Sequence, residues 1–366
     1  MSTAPRPIPA AAPHPGLWTR RPRMSWPVFV SLLLIVVTIV YPVFMLLLQS
    51  LFPHLADGRF GGFGAPYAQM FSTHDLGRMW ANSLAAGIAA TLLAWALGIP
   101  AGWLLARTRL PGKCLLRVSL LVPAMSPPYL VALAYVLLAQ DNGLLEMLLG
   151  FWPGWARDAI FSFHGVVFVM GITSRGVVGL LVEATLYSTS RRQEEVARCL
   201  GTPPWRITLP LLSPALLNAG MLVFIDSVSN FGVAAIMGPR ANLPLLPAMI
   251  YELLTTWPTD IPLAAALSSI LALAAMGIVS VCHALVASRS FLSQRTLAPR
   301  LIPLKRWQVG GTWLFFTLLF TFSAGLPVLV VFFMSLIQRW GGGSTRASAW
   351  IATWPSSTPG RAGSRR

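Results

Sequence analysis

A chain of 366 residues that is 55% hydrophobic and only 10% charged sits well below the roughly 25% charge of a soluble domain, which argues against a soluble enzyme and for a membrane protein. The formal net charge of +16 comes mainly from arginine in short hops between apolar runs, a pattern that excludes a nucleic-acid-binding surface. Cys114, Cys199 and Cys282 are scattered, with neither a disulfide framework nor metal-ligand spacing.

Residues 1–26 form a polar, proline-rich tail ending in Arg20, Arg21 and Arg23. The apolar run behind it is long enough to span, so the tail does not read as a cleavable signal. With roughly 20 apolar residues per span, seven spans follow: Pro27–Leu51, Ser83–Leu105, Leu116–Leu138, Phe161–Val182, Leu211–Met237, Ile261–Ala287 and Thr312–Leu336. Pro123, Pro127 and Pro128 either kink the third span or mark its packing. Leu144–Phe151, between spans three and four, reads as a short interfacial helix or a plain loop. Arg175 lies inside span four; Asp226 and Asn230 lie inside span five. Polar groups at membrane depth mark a path or an internal pair; here either Asp226 pairs with Arg175 and locks the bundle, or these residues line a route.

The loops alternate in charge. Arg107, Arg109 and Lys113 follow span two, Arg191, Arg192, Arg198 and Arg206 follow span four, and Arg289, Arg295, Arg300, Lys305 and Arg306 follow span six. Because basic residues stay on the cytoplasmic side, the N-terminus and these loops face the cytoplasm. From Arg339 to Arg366 there are five arginines and no acid, against that rule after an odd number of spans; this predicts a shifted frame or early stop.

The segment 188–210 differs from everything around it. Ser190 and Gln193 make a capping box, Glu194 and Glu195 fall in a first helical turn, and Val196, Cys199 and Leu200 share a face. Gly201 ends the helix, and Pro203 and Pro204 prevent its continuation. Trp205 and Arg206 suit an interface, and Leu209–Pro210 begin span five. Such a short helix needs a dock, either its own bundle or a separate protein.

Glu195-Val196-Ala197, then Gly201, then Ile207-Thr208-Leu209-Pro210 resembles the EAA motif of ABC-transporter permeases of the importer type. Asn82-Ser83-Leu84, Gly98-Ile99-Pro100-Ala101, Ala106-Arg107-Thr108-Arg109, Leu121-Val122-Pro123, Pro127-Pro128-Tyr129 and Phe231-Gly232 are similar to the branch serving iron(III), thiamine, putrescine and 2-aminoethylphosphonate, over about Pro27–Val286. One departure stands out: only Thr202–Arg206 separate Gly201 from Ile207, about four residues, or one helical turn, fewer than the usual motif keeps.

The resemblance implies an all-α polytopic membrane protein, a type I (MetI-like) importer transmembrane domain of six spans plus a seventh. Its expected plan is a tail (1–26), a six-span unit (27–287) with core 79–287 and coupling loop 188–210, a basic linker (288–308), the first span of an incomplete second unit (309–337) and a low-complexity tail (338–366). Glu195, Val196, Ala197, Gly201, Trp205, Arg206, Ile207, Leu209 and Pro210 would couple to a cytoplasmic ATP-binding subunit, with ATP used there and no cofactor bound by this chain. A periplasmic solute-binding protein, membrane lipid and a second permease copy are the other implied partners. The implied location is the bacterial inner membrane, with no catalytic or metal site in the chain. Ferric iron heads the implied solutes, before 2-aminoethylphosphonate or polyamine, then thiamine. The rival classes are an ion-gradient-driven transporter, for which Asp226 is the one good carboxylate, a non-transporting assembly protein, or an inactive truncated permease.

Overall fold

The computed structural model describes residues 26–55, 58–59, 61–72, 75–141, 143–188, 199, 201, 205–287 and 301–336. Thirteen helices run through these segments: α1 (Trp26–Leu51), α2 (Ala65–Ser72), α3 (Leu76–Arg107), α4 (Lys113–Met125), α5 (Pro128–Ala139), α6 (Leu144–Leu149), α7 (Gly154–Ile160), α8 (Phe163–Ser188), α9 (Trp205–Ser229), α10 (Phe231–Met237), α11 (Leu246–Thr255), α12 (Ile261–Ala287) and α13 (Arg306–Leu336). Among the described residues, seven candidate spans are long and apolar enough to cross a membrane. The fold is an all-α polytopic membrane protein. Its 32-residue α3 rises about 48 Å, more than the ~30 Å hydrocarbon core demands, so its ends stand in the interfaces.

Two spans differ from the sequence expectation. Span three is two helices, α4 and α5, parted at Ser126-Pro127, because consecutive prolines at 127 and 128 supply no amides to the preceding turn. The run Leu211–Met237 is also two helices. Asn230 leaves the helical region, and its side chain accepts a hydrogen bond from the Val233 amide at 3.0 Å, capping α10. Leu144–Leu149 is helical and stops at Gly150, which adopts φ +73°.

Small residues set the central packing. Ala90, Ala94, Gly98 and Gly102 recur every fourth position along α3 and are all buried, the spacing that lets membrane helices approach closely. A Cβ on Gly98 would lie 2.7 Å from the Arg175 carbonyl oxygen, and one on Gly102 would lie 2.3 Å from that of Gly179. The backbones of α3 and α8 are therefore in contact. Leu212, Ala219 and Val223 of α9 close one side of this pair.

The seventh span is part of the same bundle. Thr108–Arg109, after α3, pairs in parallel with Ile302–Pro303, ahead of α13. Phe316 and Leu319 of α13 pack with Leu116 and Leu120 of α4, and Val330 and Met334 pack with Val131 and Tyr135 of α5.

Helices α1 and α13 share a pattern. Each contains a five-residue π segment, Val36–Val40 and Thr321–Gly325, followed after one residue by Pro-Val (Pro42-Val43, Pro327-Val328). One constant offset also aligns Ser50-Leu51 with Ser335-Leu336, and Arg20-Arg21 with Lys305-Arg306. In α13 the Leu326 amide bonds to the Thr321 carbonyl and Pro327 has no amide, so the Phe322 carbonyl has no main-chain donor. The Tyr135 hydroxyl of α5 donates to it at 2.6 Å.

Candidate functional site

At the end bearing the basic loops, α8 and α9 run toward segment 188–210. Glu195, Val196 and Ala197 lie outside the described residues. Gly201 has φ +69°, a left-handed conformation in which a side chain is strained. Trp205, Arg206, Ile207 and Leu209 all lie in the first turns of α9. Pro210, expected to open span five, lies inside that helix and is exposed. Helix α9 has already begun at Trp205; Pro210 removes a single amide, the one that would bond the Arg206 carbonyl.

Beside this end lies a charged cluster that sequence reasoning missed. Glu183 of α8, 6% exposed, takes both Nε (2.8 Å) and Nη2 (2.7 Å) of Arg117 from α4 on its Oε1. Arg117 Nη2 also donates to the Tyr187 hydroxyl at 3.4 Å, with the guanidinium 5.8 Å from the Tyr187 ring centroid. Lys113, one turn earlier, donates to the Leu105 carbonyl at 2.8 Å and so caps the last turn of α3. Burial pushes the Lys113 ammonium below its usual range; nearby Glu183 opposes that push and Arg117 adds to it. The available signal was a lone cation just inside span three and a lone carboxylate just beyond span four.

Of the two sequence alternatives for the membrane-depth polar residues, the Asp226–Arg175 pair is not formed. Arg175 is fully buried. Its Nη1 donates to the Ile172 carbonyl at 2.5 Å, and its Nη2 to the Ser119 carbonyl at 3.3 Å. Asp226 is exposed and accepts instead from the Ser174 hydroxyl at 3.2 Å. Asn230 serves as a helix cap. The three therefore act separately: one pins helices, one is a carboxylate open at the bundle surface, and one ends a helix.

At the opposite end, short helices are tied down by polar contacts. Arg157 of α7 pairs with Asp141 and, at 3.7 Å, with Glu146. The Ser83 hydroxyl accepts from the buried Leu246 amide at 2.9 Å, and Asn82 donates to the Pro244 carbonyl at 3.1 Å. The start of α11 is thus anchored to α3.

Residues 98–300, more than half the chain and including α8, segment 188–210 and α9, match the binding-protein-dependent transport system inner membrane component. The chain belongs to this family of permeases. It is similar to the molybdenum transport system permease protein ModB of Escherichia coli K12, with 30% identity covering 48% of this chain and 78% of that protein. It also resembles the sulfate transport system permease protein CysT of the same strain, with 27% identity covering 58% of this chain and 77% of that protein. A longer Haemophilus influenzae protein named for ferric transport matches at 23% identity over 57% of this chain and 33% of its own length. In fold it is similar to a bacterial ABC transporter involved in alginate import, with a TM-score of 0.55 and 15% identity covering 71% of this chain and 93% of that one. The protein is a membrane permease subunit of an ABC-type importer.

Proposed function

We propose that segment 188–210 is the coupling element of this permease, seating Glu195, Val196 and Ala197 on a cytoplasmic ATP-binding subunit that performs the hydrolysis. A periplasmic solute-binding protein delivers cargo to the opposite end, and the N-terminus faces the cytoplasm. The observation that carries this reading is the family match across residues 98–300, which brackets the segment between the two long helices α8 and α9. The left-handed Gly201 beside it supports a tight turn there. With α9 helical from Trp205, the turn of chain missing between Gly201 and Ile207 leaves the re-entering helix itself close to the contact.

The solute is an inorganic ion. Molybdenum, sulfate and ferric transport name the relatives, and ferric iron belongs to the branch whose motifs the sequence resembles. We further propose that α13 is the first span of a second permease unit, supported by its register with α1 in the π segment, the Pro-Val pair and the basic preface.

Gly201→Leu tests the coupling reading. It places a side chain at φ +69°, and we expect uptake into vesicles carrying the assembled transporter to fall at least about tenfold, equivalent to ~1.4 kcal/mol. ATPase association is measured in parallel by co-purification. Unchanged uptake and association in an active complex would overturn the reading.

A further inference from the structure

The two halves of span three are held by different polar contacts. The inner half, α4, contains Pro123, which has no amide to give the Ser119 carbonyl four residues earlier. Ser119 is buried in a segment read as membrane-embedded, where an unpaired carbonyl is costly. The donor that reaches it is Arg175 Nη2 from α8, at 3.3 Å. The donor is charged and fully buried, so this long contact still satisfies an oxygen that water cannot reach, and Arg175 also holds its own helix through Ile172.

Two further contacts join the same helices. The Arg117–Glu183 pair ties them toward the basic end. At Gly176 the backbones meet, since a Cβ there would lie 2.2 Å from the Leu120 carbonyl oxygen. The outer half, α5, packs on α8 through apolar side chains, with Tyr135 edge-on to Phe168 at 5.8 Å, and its polar and closest contacts go to other helices. Tyr135 donates to α13, and Tyr129 packs on Gly232 of α10, where a Cβ would approach to 2.6 Å. Between the halves, the Ser126 amide reaches back to Val122 and Pro123 carbonyls, and Leu130 reaches Pro127.

We propose that Arg175 replaces the amide that Pro123 removes, so that α8 carries α4 as one rigid piece and span three bends at Ser126-Pro127. The same substitution of a side-chain donor for a proline-deleted amide occurs where the Ser213 hydroxyl donates to the Pro210 carbonyl at 2.8 Å, four residues before Pro214. The consequence for transport rests on the coupling reading: displacement of segment 188–210 would enter the bundle as movement of α8 with α4, with the bend at Ser126-Pro127 taking up the difference from α5. Arg175 is then a positioning residue and not a lining residue of the route.

The pinning is tested on the full chain alone in lipid nanodiscs, so its outcome is independent of any ATPase. Arg175→Met, Pro123→Ala and the double variant are compared by thermal unfolding. Alanine at 123 supplies the missing amide, so the loss of midpoint caused by Arg175→Met should be at least twofold smaller in the Pro123→Ala background. An equal or larger loss there overturns the proposal. If Arg175→Met does not fold, recovery of folding in the double variant supports it and failure of both counts against it. A second measurement leaves all of these residues in place: spin-label distances for Val118–Ala184, between α4 and α8, and Val118–Leu133, between α4 and α5. The first distribution should be the narrower, and the reverse order overturns the hinge. Failure of the ATPase to associate would sink the coupling reading and leave both results standing.

Discussion

Glu183 and Arg117 show what a single carboxylate does at the edge of this bundle. Both contacts from Arg117 converge on one oxygen of a nearly buried Glu183. Glu183→Gln keeps the shape and one acceptor but removes the charge, and should cost about 1–2 kcal/mol, at the low end because Arg117 remains 42% exposed. The midpoint of thermal unfolding reads this, and Arg117→Lys, which loses the two-pronged geometry, should reproduce most of it. At this scale the sequence is a partial guide. Arg175, Asp226 and Asn230 were visible as polar groups among apolar ones, but their partners were not. Hydropathy says nothing of a carbonyl released by a proline on another helix, to which Arg175 donates. Asn230 could have been read as a cap, since it stands directly ahead of an apolar run.

Helices α3 and α8 approach until their main chains touch, and glycines make this closeness tolerable. Gly102→Val would push a side chain into the Gly179 carbonyl, 2.3 Å from the first added carbon, and should cost about 1–3 kcal/mol or more. Gly310→Ala in α13 is the control: nothing lies within 4 Å, so it should gain roughly 0.4–1 kcal/mol by lowering the freedom of the unfolded chain. Opposite signs in one denaturation series would separate packing from propensity; a loss at both positions would contradict the argument. The uninterrupted spans were legible because a long apolar run has few alternatives in lipid. The breaks in spans three and five were not, since a hydropathy window averages across Ser126-Pro127 and Asn230. The four-residue recurrence of Ala90, Ala94, Gly98 and Gly102 was present in the sequence as a packing signal.

For the molecule as a whole, α13 sits on both halves of span three, although the chain reads as starting afresh there. Tyr135→Phe removes one hydroxyl and leaves the Phe322 carbonyl without its donor. It should cost about 1–3 kcal/mol and loosen α13, increasing protease cleavage near residue 305 while cleavage elsewhere is unchanged. Unaltered cleavage would mean that apolar contact alone seats the helix. Helix α1 has the same irregularity, and among the described residues no side-chain donor like Tyr135 serves it. The Tyr41 amide is spent on Val36 and position 42 is proline, so the Val37 carbonyl, in an exposed stretch, loses its main-chain donor. An oxygen bared to hydrocarbon is a debt that lipid cannot settle. In a bilayer the Val37 oxygen would call for a donor from outside helix α1.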